Sequence, residues 1–207
     1  MTIRRGDSWG TIGEWDPSVP SVRTDADLHH AVASGKNRVH PVAGDLSSTL
    51  GIRAGAEVTG PPRHGRFLPM DAYDLEWIDS RGVTHADRCF VHVVHGECWR
   101  GTSWWCASGG FVRGREVLPR SHPNDGIVDV LHVSSAMSLR QRIAAIRRTR
   151  WGTHVPHPQL EILRGPQVEW SASAPESLYV DGAKVGDAVR VRVTVLSDAW
   201  IACVPET

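Results

Sequence analysis

Two carboxylates four residues apart, Asp125 and Asp129, are the residues of this chain best placed to do chemistry. Asp125 lies in the turn 123–126, where a proline fixes φ and a glycine tolerates a positive φ. Asp129 follows in the β-branched segment 127–133 and has apolar neighbours on either face of a strand. Because an unpaired buried charge is costly, Asp129 needs a strong partner. Two carboxylates and a turn carbonyl would suit a hard cation, so we predict a structural Mg²⁺ or Ca²⁺ site.

The same two aspartates also have a simpler interpretation. Asp125 would cap its own turn, and Asp129 would accept hydrogen bonds from backbone N–H groups or from an arginine. The spacing fits both interpretations, because Asp is common in turns for local reasons.

The histidines give weaker signals for a metal. His92 and His95 form an H-x-x-H within a predicted strand, and this spacing points the two side chains to opposite faces. We therefore expect that they do not bind one ion together. His154 and His157 are candidate ligands by residue type alone.

Hydrophobic periodicity predicts a mainly β protein. From about Ala56 the pattern changes to a period of two, which is typical of half-buried strands. Strands are predicted near 74–78, 89–96, 127–133, 167–171, 177–180, 188–196 and 199–204. We predict a two-layer β-sandwich with a few short helices over residues 56–207. Residues 1–55 are predicted to form an extended arm and a short helix, because Gly and Pro are frequent near their start.

Two helices are predicted from capping residues and apolar spacing. Thr24 or Asp25 can cap a helix over 26–34, and we expect His29 and His30 on it to face solvent.

The second predicted helix is basic and amphipathic. It follows Ser138 and covers 139–148, with Leu139, Ile143 and Ile146 along one stripe and its arginines mostly off it. Such a helix can rest on an anionic membrane, although an arginine-covered face is also typical of a simply solvated helix.

Composition narrows the class of protein. Formal net charge is zero and the isoelectric point is near 7.2, which gives no bulk attraction to nucleic acid or to an anionic membrane. No apolar run is long enough for a membrane span, and the start has no signal-peptide core. The four cysteines form no C-x-x-C pair, so we expect buried thiols in a cytoplasmic protein, at most peripheral to the inner face of the membrane.

The stretch P-N-D-G-I-V-D-V-L-H-V resembles the start of the C-terminal β-sandwich domain of bacterial diacylglycerol kinases and related lipid kinases, in the NAD kinase-like superfamily. A helix, a G-x-H at 152–154 and a V-D-G hairpin follow in the same order. The resemblance implies that Asp181, in that hairpin, faces a phosphoryl-transfer site and is the catalytic residue if the protein is active. Segment 41–51 is similar to the P-x-G-T-x-N-D-L-A-x-x-L-G segment near the nucleotide, which implies Gly44 and Asp45 as cofactor-binding residues.

The chain also departs from that family. The Glu that follows the hairpin glycine is replaced by Ala183, and the Thr and Asn expected between Gly44 and Asp45 are absent. The Gly-Gly-Asp-Gly-Thr nucleotide loop and the P-loop are missing from the sequence. The residues before the β region are too few for a doubly wound nucleotide domain. We therefore expect a short form of the family that does not bind ATP as this chain alone.

Three functions follow as hypotheses. The first is a stand-alone, catalytically inactive domain that binds a lipid, another amphiphile or a protein partner. The second is a lipid phosphotransferase completed by a partner subunit or a homodimer, in which Asp181 orients or deprotonates the acceptor hydroxyl. The third is an interaction module that packs a Trp-rich patch of Trp99, Trp104 and Trp105 against a partner.

Overall fold

The computed structural model describes residues 8–52, 64–97 and 99–206. The predicted domain boundary between residues 55 and 56 and one cysteine, Cys98, lie outside these residues. The helices are α1 (Asp25–Ala33), α2 (Asp45–Thr49) and α3 (Leu139–Arg148), and a 3-10 turn covers Thr149–Trp151. The strands are β1 (Thr11–Glu14), β2 (Ser21–Val22), β3 (Arg38–Pro41), β4 (His64–Ile78), β5 (Thr84–Cys89), β6 (His92–His95), β7 (Ser103–Ala107), β8 (Phe111–Val112), β9 (Arg115–Glu116), β10 (Val128–Val133), β11 (Leu160–Gly165), β12 (Gln167–Val180) and β13 (Ala183–Pro205).

Eleven of these strands form one sheet, in which almost every pairing is antiparallel. Eight of them follow in the spatial order β1, β4, β13, β12, β6, β7, β10 and β11. Strand β5 pairs with β4, β3 runs parallel to β13, and β2 joins β3. Strands β8 and β9 form a separate hairpin. The prediction of a mainly β fold with a few short helices is confirmed.

The long strand β13 lies inside this sheet, between β12 and β4. Its first half pairs with β12 and β4, and its second half pairs with β4 and β3. The register shifts between Leu196 and Trp200, where Asp198 has a φ of +54°. This bulge bends the strand, which is why the sequence pattern predicted two strands where the structure has one.

Residues 8–52 contribute more structure than an extended arm. Strand β1 pairs with β4, and β3 pairs with β13, so this segment extends the sheet. Helix α1 begins as predicted, with the Thr24 side chain accepting from the N–H of Asp27, and it buries Leu28. The two-part division at residue 55 stays a prediction.

The three tryptophan side chains of the predicted patch lie in the core. Trp99, Trp104 and Trp105 are 6%, 6% and 0% exposed. Trp104 packs with the β4, β12 and β13 residues of one hydrophobic cluster, and Trp105 packs in a second cluster beneath α3. The prediction that these three side chains form a patch for a partner is therefore wrong, because they are already covered by the fold.

Helix α3 has the predicted bounds, but two of the three residues of its predicted apolar stripe are exposed. Ser138 forms a capping box at its start. Arg142 and Ala145 are buried, whereas Leu139 and Ile143 are exposed. The Arg142 guanidinium donates to five backbone carbonyls, those of Trp99, Gly101, Ser134, Ser135 and Met137. These hydrogen bonds stabilise the buried charge of Arg142 and orient the helix.

Among the described residues, no helix is long and apolar enough to cross a bilayer.

Candidate functional site

Asp181 lies in the two-residue turn that joins β12 to β13. Both turn residues have positive φ, +47° at Asp181 and +88° at Gly182, which is the geometry of a type I′ hairpin. Its backbone N–H donates to the carbonyl of His92 on β6. The turn therefore points the Asp181 carboxylate inward, where it is 1% exposed.

Five donors converge on the buried carboxylate of Asp181. The donors, with their distances, are Nδ1 of His29 (2.9 Å), Sγ of Cys89 (3.3 Å) and the backbone N–H groups of Phe90 (2.9 Å), Val91 (2.9 Å) and His92 (3.0 Å). Burial raises the pKa of Asp181, but the hydrogen bond from His29, the nearby His92 and the backbone N–H groups outweigh it and leave that pKa lowered. The carboxylate is therefore held in its ionised form.

His29 is a member of this site that sequence analysis missed. It was expected to face solvent, but its side chain is 20% exposed and its ring contacts Phe90. The hydrogen bond to Asp181 raises the pKa of His29 against the opposing effect of burial. The signal that could have found it is its spacing of four from Asp25, because both then share one face of α1.

The start of α2 brings Gly44 and Asp45 to the same region. Gly44 has a φ of +99°, and a Cβ there would lie 2.6 Å from Oδ1 of Asp25. The missing side chain allows the Asp25 carboxylate to accept from the N–H groups of Asp45 (3.1 Å) and Leu46 (3.4 Å). The structure thus explains why glycine is needed here, and cofactor binding by Gly44 and Asp45 stays a prediction.

Asp45, Asp25 and His92 form a compact group beside Asp181. The Asp45 carboxylate accepts from the N–H groups of Arg113 (2.5 Å) and Gly114 (2.6 Å). Nδ1 of His92 lies 3.5 Å from Oδ2 of Asp45 and 4.0 Å from Oδ2 of Asp25. One candidate ligand atom from each of the three lies within 4.8 Å of the others. His92 and Asp25 were not predicted to meet here, because their proximity arises only when α1 docks on the sheet.

We call Asp25, Asp45, Asp181, His29 and His92 the acidic cluster. It contains three carboxylates, and the only side-chain cations or potential cations in contact with them among the described residues are the two imidazoles. Burial raises the pKa of Asp25. So much negative charge at low exposure favours a cationic occupant.

The predicted metal ligands Asp125 and Asp129 lie elsewhere and contact an arginine. Nε of Arg164 donates to Asp129, and Nη2 lies 3.5 Å from Oδ2 of Asp125. Asp125 also caps its turn by accepting from the N–H of Ile127 (3.2 Å). Burial, with a contribution from Asp129, raises the pKa of Asp125 to about 6. These are the contacts of the simpler interpretation, and metal binding by this pair stays a prediction.

His95 and His154, two further histidines considered as metal ligands, lie outside the acidic cluster. His92 and His95 point to opposite faces of β6, as predicted. His95 accepts from Nε1 of Trp170 (3.0 Å) and its Nε2 lies 3.0 Å from the carbonyl oxygen of Ala188. Nε2 of His154 lies 2.9 Å from the carbonyl oxygen of Val117.

Comparison with known proteins identifies the family. Residues 86–203 match the family model described as the YegS C-terminal NAD kinase beta sandwich-like domain. This match covers more than half of the chain, so the chain belongs to that family. The predicted lipid-kinase-like β-sandwich is thereby confirmed. No curated protein matches the chain.

Solved structures with a similar fold include three from Bacillus anthracis str. Sterne. One, proposed to be a diacylglycerol kinase, is 11% identical with a TM-score of 0.52, over 82% of this chain and 68% of its own. A second such proposed kinase is 10% identical with a TM-score of 0.39, over 87% of this chain and 49% of its own. A diacylglycerol kinase is 11% identical with a TM-score of 0.41, over 82% and 66%. At these identities, the likeness to the first structure shows a shared fold and does not indicate a shared activity.

Proposed function

We propose that this chain is a lipid-kinase-like domain that binds an amphiphilic ligand and does not itself transfer phosphate. The observation that carries the proposal is the enclosure of Asp181, the position to which the family resemblance assigns phosphoryl transfer. A general base must reach the proton that it removes. Asp181 is 1% exposed, and its oxygens already accept five hydrogen bonds from the chain. Such a carboxylate is suited to anchoring α1 and the segment 89–92.

A groove next to the acidic cluster supports the amphiphile as the ligand. Its volume is about 380 Å³. Its lining residues are mostly apolar, with one arginine: Val32, Ala33, Gly35, Asn37, Arg88, Phe90 and Ala199. The N–H of Phe90 donates to Asp181, so the groove and the cluster share a wall. An apolar groove with a few polar groups at its edge suits an acyl chain with an oxygen-bearing head group.

Calorimetric titration with dioctanoylglycerol and, separately, with ATP·Mg²⁺ tests this function. We expect dioctanoylglycerol to bind and ATP·Mg²⁺ not to bind in the micromolar range. The Ala33→Trp substitution fills the groove and should weaken dioctanoylglycerol binding at least about tenfold. Ala144→Trp, at an exposed alanine of α3, is the matched control and should leave it unchanged. Micromolar ATP·Mg²⁺ binding, or unaltered binding by Ala33→Trp, would overturn the proposal.

The His29–Asp181 pair favours a second candidate function. In it, the chain is part of a lipid phosphotransferase that a partner subunit or a homodimer completes. Asp181 would orient the His29 imidazole, and the outer nitrogen of that imidazole would accept the proton of the acceptor hydroxyl. This second function requires that the assembly phosphorylates a lipid and that the Asp181→Asn substitution abolishes this activity.

The exposed face of α3 supports peripheral contact with an anionic membrane surface. Leu139 is 73% exposed, Ile143 is 43% exposed, and the nearby Trp151 is 67% exposed. Exposed arginines flank them at positions 140, 147, 148 and 150. Large apolar side chains among cations can insert at the head-group level of a bilayer. This contact would bring the domain to the surface where its amphiphilic ligand resides.

A further inference from the structure

One buried polar atom in the acidic cluster has no explanation within the chain. Nδ1 of His92 finds no hydrogen-bond partner among the described residues, and the His92 side chain is 4% exposed. Leaving such an atom unpaired costs free energy, since its bond to water is lost and not replaced. Two carboxylates face it, Asp45 at 3.5 Å and Asp25 at 4.0 Å. The atom is aimed at negative charge, which points to a missing cation.

The two carboxylates are held rigidly and still have acceptor capacity. A carboxylate offers about four lone-pair positions. Asp45 uses two of them on the N–H groups of Arg113 and Gly114, and Asp25 accepts from the N–H groups at the start of α2. Gly44 allows this close approach, because any Cβ there would collide with Asp25. Backbone donors thus orient both acids towards His92 and leave each with room for another bond.

We propose that Asp25, Asp45 and His92 bind one divalent transition-metal ion of the Zn²⁺ class. Ligands about 2.1 Å from one ion lie roughly 3 to 4 Å apart, and the distances from Nδ1 of His92 to the two carboxylates fall in this range. One imidazole and two carboxylates leave at least one coordination position for water or a ligand oxygen. This site is distinct from the predicted Asp125–Asp129 pair and does not depend on the proposed binding of an amphiphile.

The donor set decides the class of metal. Mg²⁺ and Ca²⁺ prefer oxygen ligands, whereas an imidazole nitrogen suits Zn²⁺, Co²⁺ and related ions. The competing explanation is that His92 is simply protonated and paired with Asp45. That explanation requires no metal and predicts no response of the protein to Zn²⁺ at this position.

Metal titration of the chelator-treated protein distinguishes the two explanations. We expect one equivalent of Zn²⁺ to bind with micromolar or tighter affinity by calorimetry, and to raise the melting temperature, while Mg²⁺ has no such effect. Co²⁺ should bind with visible absorption bands of nitrogen and oxygen ligation and without a thiolate charge-transfer band.

Substitutions assign the binding to these residues. His92→Phe and Asp25→Asn should each weaken Zn²⁺ binding about 100-fold or more and remove the Co²⁺ bands. His154→Phe is the matched control, because His154 is also buried, its Nδ1 has no hydrogen-bond partner in the described part of the chain, and it lies outside the cluster. Zn²⁺ binding that survives both substitutions, is lost in the control, or is absent from the wild-type protein would overturn the proposal.

Discussion

Nδ1 of His29 and Oδ2 of Asp181 lie 2.9 Å apart, although 152 residues separate them in the chain. This contact ties helix α1 to the hairpin between β12 and β13. Asp181 also accepts from the backbone of residues 90–92, so one carboxylate joins three distant segments. Removing its charge should therefore disturb the fold as well as the site.

Asp181→Asn should lower the free energy of unfolding by about 2 to 4 kcal/mol, because an amide cannot accept from all five donors and presents its own NH₂ to some of them. Urea unfolding followed by tryptophan fluorescence measures this change. Asp187→Asn is the control, since Asp187 is exposed and its side-chain partners among the described residues are Lys184 and Ser177. An Asp181→Asn protein as stable as this control would contradict the anchoring role.

Acid should destabilise the fold through His95. Its Nδ1 accepts from Trp170, so a proton added there would break that hydrogen bond. Burial lowers the pKa of His95 from 6.5. The unfolded state then takes up the proton first, so this contribution is present above about pH 6.5 and is lost as pH falls.

Urea unfolding of the wild type and of His95→Phe, at neutral and at acidic pH, measures the contribution of His95 to the pH dependence of stability. The difference in unfolding free energy between the two proteins should move in favour of His95→Phe as the pH falls. Comparing the difference removes the contribution of aspartates such as Asp71, whose pKa is raised by burial. A difference that does not change with pH would refute the assignment.

Arg164 should matter more to stability than a typical surface arginine. Asp129 is 2% exposed, and Arg164→Met would leave it without its cationic partner. Since Arg164 is itself partly exposed, we expect a loss of about 2 kcal/mol, which is smaller than for a fully buried pair. The double variant Asp129→Asn, Arg164→Met should recover part of this loss in urea unfolding.

The wild type and an Asp129→Asn variant test the predicted metal at Asp125 and Asp129. Because Arg164 already supplies positive charge, millimolar Mg²⁺ should leave the melting temperature of the wild type unchanged. A stabilisation by Mg²⁺ that disappears in Asp129→Asn would instead establish the metal site and refute the arginine interpretation.

Replacing Leu139 and Ile143 with Glu should abolish vesicle binding by α3. Co-sedimentation with vesicles that contain phosphatidylserine should detect the wild type, and purely phosphatidylcholine vesicles should retain less of it, because the flanking arginines favour anionic lipid. Val83→Glu is the control, because it alters an exposed apolar residue outside α3, between β4 and β5, and should not change vesicle binding. Equal sedimentation of wild type and the double Glu variant would exclude α3 as the contact.

The elements of the fold were predictable where the signals are local. The Thr24 cap of α1 and the Ser138 cap of α3 follow from short-range residue preferences, the Asp181–Gly182 hairpin was expected from the family resemblance, and the structure has all three. Strands β1 to β3 were not predicted, because glycine and proline weaken the local strand signal. Pairing of β1 with β4 and of β3 with β13 stabilises these strands in the folded protein. The face of α3 was mistaken because Arg142 finds carbonyl partners that only the folded loops provide.

The candidate site was predictable only in part. Asp181 and Asp45 were found through the family resemblance, whereas no sequence motif assigned Asp25, His29 or His92 to this site. Their role depends on the docking of α1 beside β3, which places one helix face over the loop before β6. Proximity of this kind is a tertiary property that spacing along the chain does not determine.

The central claim is that the chain binds an amphiphile and does not transfer phosphate. The most direct test measures transfer of labelled phosphate from ATP to diacylglycerol by the purified chain in every oligomeric form that it adopts. We expect that a preparation that binds dioctanoylglycerol in calorimetry will form no labelled lipid above the protein-free background. Turnover that disappears in a folded Asp181→Asn protein would contradict the claim and establish the phosphotransferase function.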